Sequence, residues 1–262
     1  MSLPVVISRY PRLRRGIQEF FLIMALYVAY SASRLFASDA MTPALHRAHE
    51  LLRLETVIGM HWEKPINQLF EQFEWLGLFG SYWYATAHYA VTAGVLIWLY
   101  RLCSHRYVPA RRALVIATLL GLAIYLLMPT APPRFVDGYI DILNLHAADG
   151  WWGADASAPR GVGGLTNELA AFPSLHAGWA LWVAIVVQRY ATRHWVRVLG
   201  WSHALITAVV IVGTGNHWII DAVVGWAVIG VGFVLADMVW TWERARKMPQ
   251  SGHVQEDCTQ VG

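Results

Sequence analysis

Long apolar runs alternate along the chain with short polar segments, and the runs match the length of helix, about 20 residues, that crosses a bilayer. The first covers Ile17 to about Phe36, with Gln18, Glu19, Ser31, Ser33 and Arg34 placed near its ends, where long side chains reach the interfaces. Others run from Leu76 to Tyr100, Ala113 to Met128, Ser174 to Val187, Val198 to Gly213 and His217 to Trp240. This pattern predicts an all-α polytopic membrane protein, a six-transmembrane-helix bundle. The first run is long enough to remain as an anchor, and no cleavable signal peptide is expected.

Between the first two runs the periodicity changes. Charges at Arg47, Glu50, Arg53, Glu55, Glu63, Lys64, Glu71 and Glu74 alternate with Leu45, Leu51, Leu52, Leu54, Ile58, Ile66, Leu69, Phe70 and Phe73. The stripe predicts one or two amphipathic helices lying on the membrane over residues 39–75, broken near Gly59 and restarting at Pro65. A binding surface for a partner is the rival reading. Pro129, Pro132 and Pro133 cannot continue the third span and so present Arg134 at the membrane surface. The Gly-, Asp- and Trp-rich stretch from Phe135 to Ala171 is too polar to cross and long enough to act as a lid, with Trp151 and Trp152 as interfacial anchors.

Composition agrees with the run pattern: 56% of the 262 residues are hydrophobic and 14% charged, against about 25% charged in a soluble domain. The net charge of +3 is concentrated in Arg9 to Arg15, Arg101 to Arg112, Arg189 to Arg197 and Arg244 to Lys247. All four segments fall on one side of a six-span arrangement, which makes that side cytoplasmic. Their charge orients the bundle, and nucleic acid is not an expected partner. The expected division is a cytoplasmic basic N-terminus (1–16), a membrane catalytic domain (17–242) with external segments at 39–75 and 131–173, and a cytoplasmic tail (243–262). The two cysteines, Cys103 and Cys258, make no disulfide framework.

The chemistry gathers at two helix mouths. One reads Phe172-Pro173-Ser174-Leu175-His176-Ala177-Gly178-Trp179, and the other Gly213-Thr214-Gly215-Asn216-His217-Trp218-Ile219-Ile220-Asp221. Polar groups are costly there unless they work or are paired. His217 and Asp221 stand i, i+4 and share a helix face, so the carboxylate can bond one ring nitrogen while the other points outward. Ser174 and Asn216 are good N-cap residues, so two helix ends would offer free amides and positive dipole ends to an anion beside Arg134. His88 is expected to hydrogen-bond within the bundle, with a place facing the site as the alternative. The His217 and Asp221 pair also fits a structural hydrogen bond or a transporter's proton relay. His176, His217 and Asp221 could ligate a metal, but no HxxxH or CxxC spacing reinforces that reading, and neither metal nor cofactor is expected.

Pro173-Ser174-Leu175-His176 and His217-x-x-x-Asp221 followed by Gly225 resemble the second and third signatures of the type 2 phosphatidic acid phosphatase superfamily. Pro132-Pro133-Arg134, with Leu175 where glycine is commoner, resembles its inositol phosphorylceramide synthase-like branch. The resemblance covers about residues 50–235. It implies a phosphohistidine mechanism with His217 as nucleophile, Asp221 as its orienting partner, His176 as general acid, and Arg134 and Ser174 as phosphate ligands, to which Asn216 is added from its place at the second helix mouth. Leu127 stands where the first signature has a lysine, and Val210 lies where an arginine is usual, so two cationic ligands are replaced. The implied activity is a lipid-phosphate phosphatase acting on a monophosphate or diphosphate, or alternatively a phosphotransferase between lipids. A proton-coupled transporter or lipid-binding bundle is a third reading. The expected partners are the lipid phosphate and membrane lipids, no oligomeric state is assigned, and the expected location is the plasma (inner) membrane with the site facing outward.

Overall fold

The computed structural model describes residues 41–102, 104–152 and 169–247, with isolated positions between 17 and 28. The described elements are α1 (Met41–Val57), α2 (Glu63–Gln72), α3 (Glu74–Leu102), α4 (Ser104–Leu127), the short α5 (Ile142–Leu145), α6 (Leu175–Tyr190), α7 (His194–Gly213) and α8 (Ile219–Lys247). No strand occurs among the described residues. A single parallel bridge pairs Thr130 with Ala170, and it ties the proline-rich segment to the residues that enter α6.

Three of these helices contain stretches long and apolar enough to cross a membrane: Arg106–Leu127, His194–Gly213 and Ile219–Arg244. The chain is a membrane protein, with three helices of this kind where the run pattern predicts six. α3 has the length, 29 residues, but Tyr82, Trp83, Tyr84, His88 and Tyr89 dilute its hydropathy. α6 is 16 residues long, which at about 1.5 Å per residue falls short of the hydrocarbon core. The expected first span, Ile17 to Phe36, lies outside the described residues except at isolated positions.

The basic stretch from Arg101 to Arg112, which separates two apolar runs, is helical on both sides of residue 103. α3 runs to Leu102, α4 starts at Ser104, and Pro109 sits inside α4. Arg112 donates two hydrogen bonds to Glu243, at 2.9 and 2.8 Å, joining the start of α4 to the end of α8. The bidentate geometry suits guanidinium and carboxylate.

The main apolar core lies between α4, α6 and α8, where Ala113, Ala117, Trp182, Val183, Val186 and Ile229 are buried. α4 and α8 approach closely because Gly232 has no side chain: a Cβ there would lie 2.5 Å from the Ala113 carbonyl oxygen. Small residues permit such crossings between membrane helices. A second core, including Phe70, Tyr84, Ile142, Trp152, Ala177 and Ile211, packs beneath the two histidine-bearing mouths.

α1 and α2 are helical with a break at Gly59, whose φ of 73° lies in the left-handed region. The leucine and phenylalanine stripe is partly exposed, and the residues turned into the protein include polar ones. The inward residues are Ala44, Ala48 and Glu55 on α1 and Glu63, Asn67 and Phe70 on α2. Val57, Ile58, Trp62, Leu69 and Phe73 are exposed. In a membrane protein this is no contradiction, because apolar side chains facing lipid cost little whereas polar groups must find protein partners. Trp152 also departs from expectation: it is fully buried and donates its indole N–H to the Leu143 carbonyl at 2.9 Å, while Trp151 is exposed.

Candidate active site

α7 ends at Gly213 in a tight return that carries the second histidine cluster. The Thr214 amide donates to the Val210 carbonyl, Gly215 to Val212, and Asn216 and His217 both to Ile211, so the carbonyls left open at the helix end are satisfied within the turn. Gly215 adopts φ 74°, and a Cβ there would lie 2.7 Å from the Ile140 carbonyl oxygen. Asn67 of α2 clamps the same turn. Its amide nitrogen donates to the carbonyls of Ile140 and Gly213, both at 2.9 Å, and its side-chain oxygen accepts from the Ile140 amide at 2.8 Å.

His217 emerges from this turn buried. Its Nδ1 lies 2.8 Å from the Ala171 carbonyl oxygen and 3.4 Å from Asp221 Oδ2. A carbonyl oxygen only accepts, so Nδ1 carries the proton and Nε2 keeps the lone pair. That Nε2 is buried and has no hydrogen-bond partner among the described residues. Asp221 is fully buried; its Oδ2 accepts the Trp218 amide at 2.8 Å, and its Oδ1 is unpartnered among the described residues. The carboxylate therefore stands beside the protonated nitrogen while the backbone of residue 171 takes the closer bond.

His176 lies in the first turn of α6. Ser174 caps that helix, its hydroxyl oxygen accepting the Ala177 amide at 3.2 Å, which leaves the hydroxyl hydrogen to donate elsewhere. The rings of His176 and His217 have centroids 5.5 Å apart. α6 and α8 meet without intervening side chains: the Ser174 amide donates to the Asp221 carbonyl at 2.9 Å, and a Cβ on Gly225 would fall 2.2 Å from the Ser174 carbonyl oxygen. This crossing brings the two histidine mouths together.

Arg134 sits in a 3-10 turn, Pro133–Phe135, set by the flanking prolines. Its amide donates to the Gly215 carbonyl at 2.9 Å and its guanidinium donates to Asn216 Oδ1. Asp141 Oδ2 lies 3.4 Å from its Nε, and the Arg134 side chain is only 7% exposed. Arg134 is thus pinned by its backbone and by two side chains against the turn that carries His217.

Asn216 does not cap the last helix. α8 begins at Ile219, and the amides at its start are occupied: Trp218 by Asp221, Ile219 by Glu63 Oε1 at 3.1 Å and Ile220 by Glu55 Oε1 at 2.8 Å. The α8 amides expected to meet an anion are taken by carboxyl groups. Asn216 instead orients Arg134, while its amide nitrogen donates to Thr214 Oγ1 at 3.0 Å. Glu55 and Glu63, whose charges suggest a solvated face, are both fully buried.

His88 hydrogen-bonds within the bundle, to the Tyr84 backbone, and also faces the site. Its ring centroid is 4.0 Å from that of His176, and Tyr84, one turn earlier on α3, stacks on the same His176 ring at 4.3 Å with 20° between planes. Their i, i+4 spacing on an otherwise apolar helix is the sequence signal for this pairing. Among the described residues, no group of three or more His, Cys, Asp or Glu side chains is arranged to hold a metal ion.

The structure is that of a helical membrane protein in which two histidines, a carboxylate and a pinned arginine converge at helix mouths. The PAP2 superfamily model matches residues 49–235, and the chain belongs to that superfamily, whose members are phosphatases and phosphotransferases. A stretch of 64 residues is 31% identical to phosphatidylinositol:ceramide inositolphosphotransferase 3 from Arabidopsis thaliana, covering 24% of this chain and 22% of that protein. The chain thus spans about a fifth of that relative's length. No solved structure matches it.

Proposed function

We propose that the chain is a membrane lipid-phosphate phosphatase acting through a phosphohistidine on His217. The observation that carries this reading is the unpartnered Nε2 of His217, whose lone pair is fixed by the Nδ1 bond to Ala171. In the first step Nε2 attacks phosphorus, the P–O bond to the leaving group breaks, and protonated His176 gives its proton to the departing oxygen. Asp221 stabilises the positive charge that develops on the His217 ring. Arg134 and the Ser174 hydroxyl hold the phosphoryl oxygens, with Asn216 keeping the guanidinium in place. In the second step neutral His176 takes a proton from water, the water oxygen attacks phosphorus, the N–P bond breaks, and inorganic phosphate leaves.

Transfer to a lipid or polyol hydroxyl in place of water uses the same steps with a different acceptor. The relative that is named an inositolphosphotransferase favours this second reading. The substrate class for either is a lipid phosphate, diphosphate or phospho-head group that enters from the bilayer. The topology we infer has six spans, cytoplasmic termini and an external site, and rests on the arginine distribution. Offering the purified protein a panel of lipid phosphates, with and without a second lipid carrying a free hydroxyl, tests both readings. Free phosphate supports hydrolysis, a new phospholipid supports transfer, and neither product from any lipid contradicts the proposal.

A further inference from the structure

Glu55 ends the buried stripe of α1 and Glu63 opens α2, on opposite sides of the Gly59 turn, yet both reach the start of α8. Three successive amides after His217 end on three carboxyl groups: Trp218 on Asp221, Ile219 on Glu63 and Ile220 on Glu55. Each carboxyl group also has a second oxygen, Glu55 Oε2, Glu63 Oε2 and Asp221 Oδ1, that is buried without a partner among the described residues when all three are taken as ionised. Three neighbouring buried anions would repel one another and lose their hydration. One proton placed between the glutamates removes most of that conflict, since an O–H···O bond satisfies the second oxygen of each.

We propose that Glu55 and Glu63 share one proton and act as positioning residues, holding the first turn of α8 so that His217 and Asp221 keep their places. This rests on the reading of His217 as the nucleophile. Burial, and next the hydrogen bond to Glu63, push the Glu55 carboxyl up to about 9. Asp221 and Tyr139 also face the pair; burial and the charges of Glu63 and Glu55 push the Tyr139 phenol up to about 12, so it stays neutral through the range in which Glu55 titrates. A carboxyl raised in the folded state stabilises it fully below its unfolded value, and that contribution declines as pH rises toward the folded one. The window for Glu55 therefore runs from 4.5 to about 9.

The test uses Glu55→Gln and Glu55→Ala in the full-length protein in detergent. In Glu55→Gln the amide N–H replaces the shared proton and the amide oxygen still accepts from Ile220, so the contacts persist without a titrating group. We expect its turnover of a lipid phosphate at neutral pH to stay within about threefold of wild type, and Glu55→Ala to lose about tenfold or more in kcat with little change in KM, as an orphaned buried amide implies. The thermal midpoint of the wild type should fall between about pH 5 and about pH 9, and that slope should be absent from Glu55→Gln. Identical slopes in the two proteins, or a Glu55→Gln variant as impaired as Glu55→Ala, would overturn the shared proton. The melting measurement needs no substrate, so a wild type that turns over nothing refutes the His217 reading while the slopes still decide on the proton.

Discussion

The Ala171 carbonyl, 46 positions from His217 in sequence, accepts from Nδ1, and in the mechanism we propose it thereby fixes the tautomer of the nucleophile, with Asp221 supporting the charge that follows. Removing the ring in His217→Ala should abolish turnover. In His176→Ala the loss should depend on the leaving group: about 10²–10⁴-fold for a basic alkoxide and much less for a nitrophenyl ester. Equal losses for an alkyl and a nitrophenyl phosphate would argue against proton donation by His176. His176, His217, Asp221 and Arg134 were legible in the sequence because each stands in a short local motif. Ala171, Glu55 and Glu63 were not, since a backbone carbonyl has no sequence signature and a glutamate on an amphipathic helix usually faces water. His88 was visible but ambiguous, because a lone histidine inside an apolar helix does not reveal which neighbour its ring meets.

The crossing of α6 over α8 sets the histidine separation, and it depends on Gly225 having no side chain against the Ser174 carbonyl. Gly225→Ala introduces a Cβ at 2.2 Å from that oxygen, so the helices must part. Such overpacking typically costs about 1–3 kcal/mol, and here it would displace Ser174 and Asp221 together. The expected outcome is a lower thermal midpoint and a loss of kcat that exceeds the loss of folded protein. A variant with wild-type kcat would show that the crossing tolerates adjustment. α3, α6 and α7 follow the hydrophobic runs to within a few residues at each end, whereas α4 starts at Ser104, well before the run's Ala113, and α8 continues to Lys247, past the run's Trp240. The residues by which α1 and α2 meet the protein were not legible, because hydropathy identifies the apolar side of a helix but not whether lipid or protein covers it. Glu63, Asn67 and Phe70 share one face of α2, and the two polar residues on it are the ones that must find partners inside the protein.

The assembled bundle gathers every proposed site residue at the mouths of α6 and α8, next to the proline-rich segment and to α1 and α2. In the topology we propose, this end faces outward, so Asn144→Cys, at an exposed position of α5, should react with an impermeant reagent from outside the cell. Labelling only after permeabilisation would reverse the orientation and the site with it. In the lateral entry we propose, exposed Trp62, Leu69 and Phe73 on the same end give a lipid's tails an apolar surface while its phosphate reaches Arg134. Each buried methylene contributes about 0.8 kcal/mol. Shortening the substrate's chains by about four carbons should therefore raise KM steeply at fixed detergent, and an equally good water-soluble ester would exclude entry from the bilayer. The spans themselves were only partly legible, since α3 carries Tyr84 and His88 into the protein and α6 is short. The decisive measurement is to quench the enzyme during turnover of a lipid phosphate radiolabelled at phosphorus and map the bound label. The mechanism requires an acid-labile, base-stable phosphoryl group on the peptide bearing His217, absent from His217→Ala; label on another residue, or turnover by His217→Ala, would contradict it.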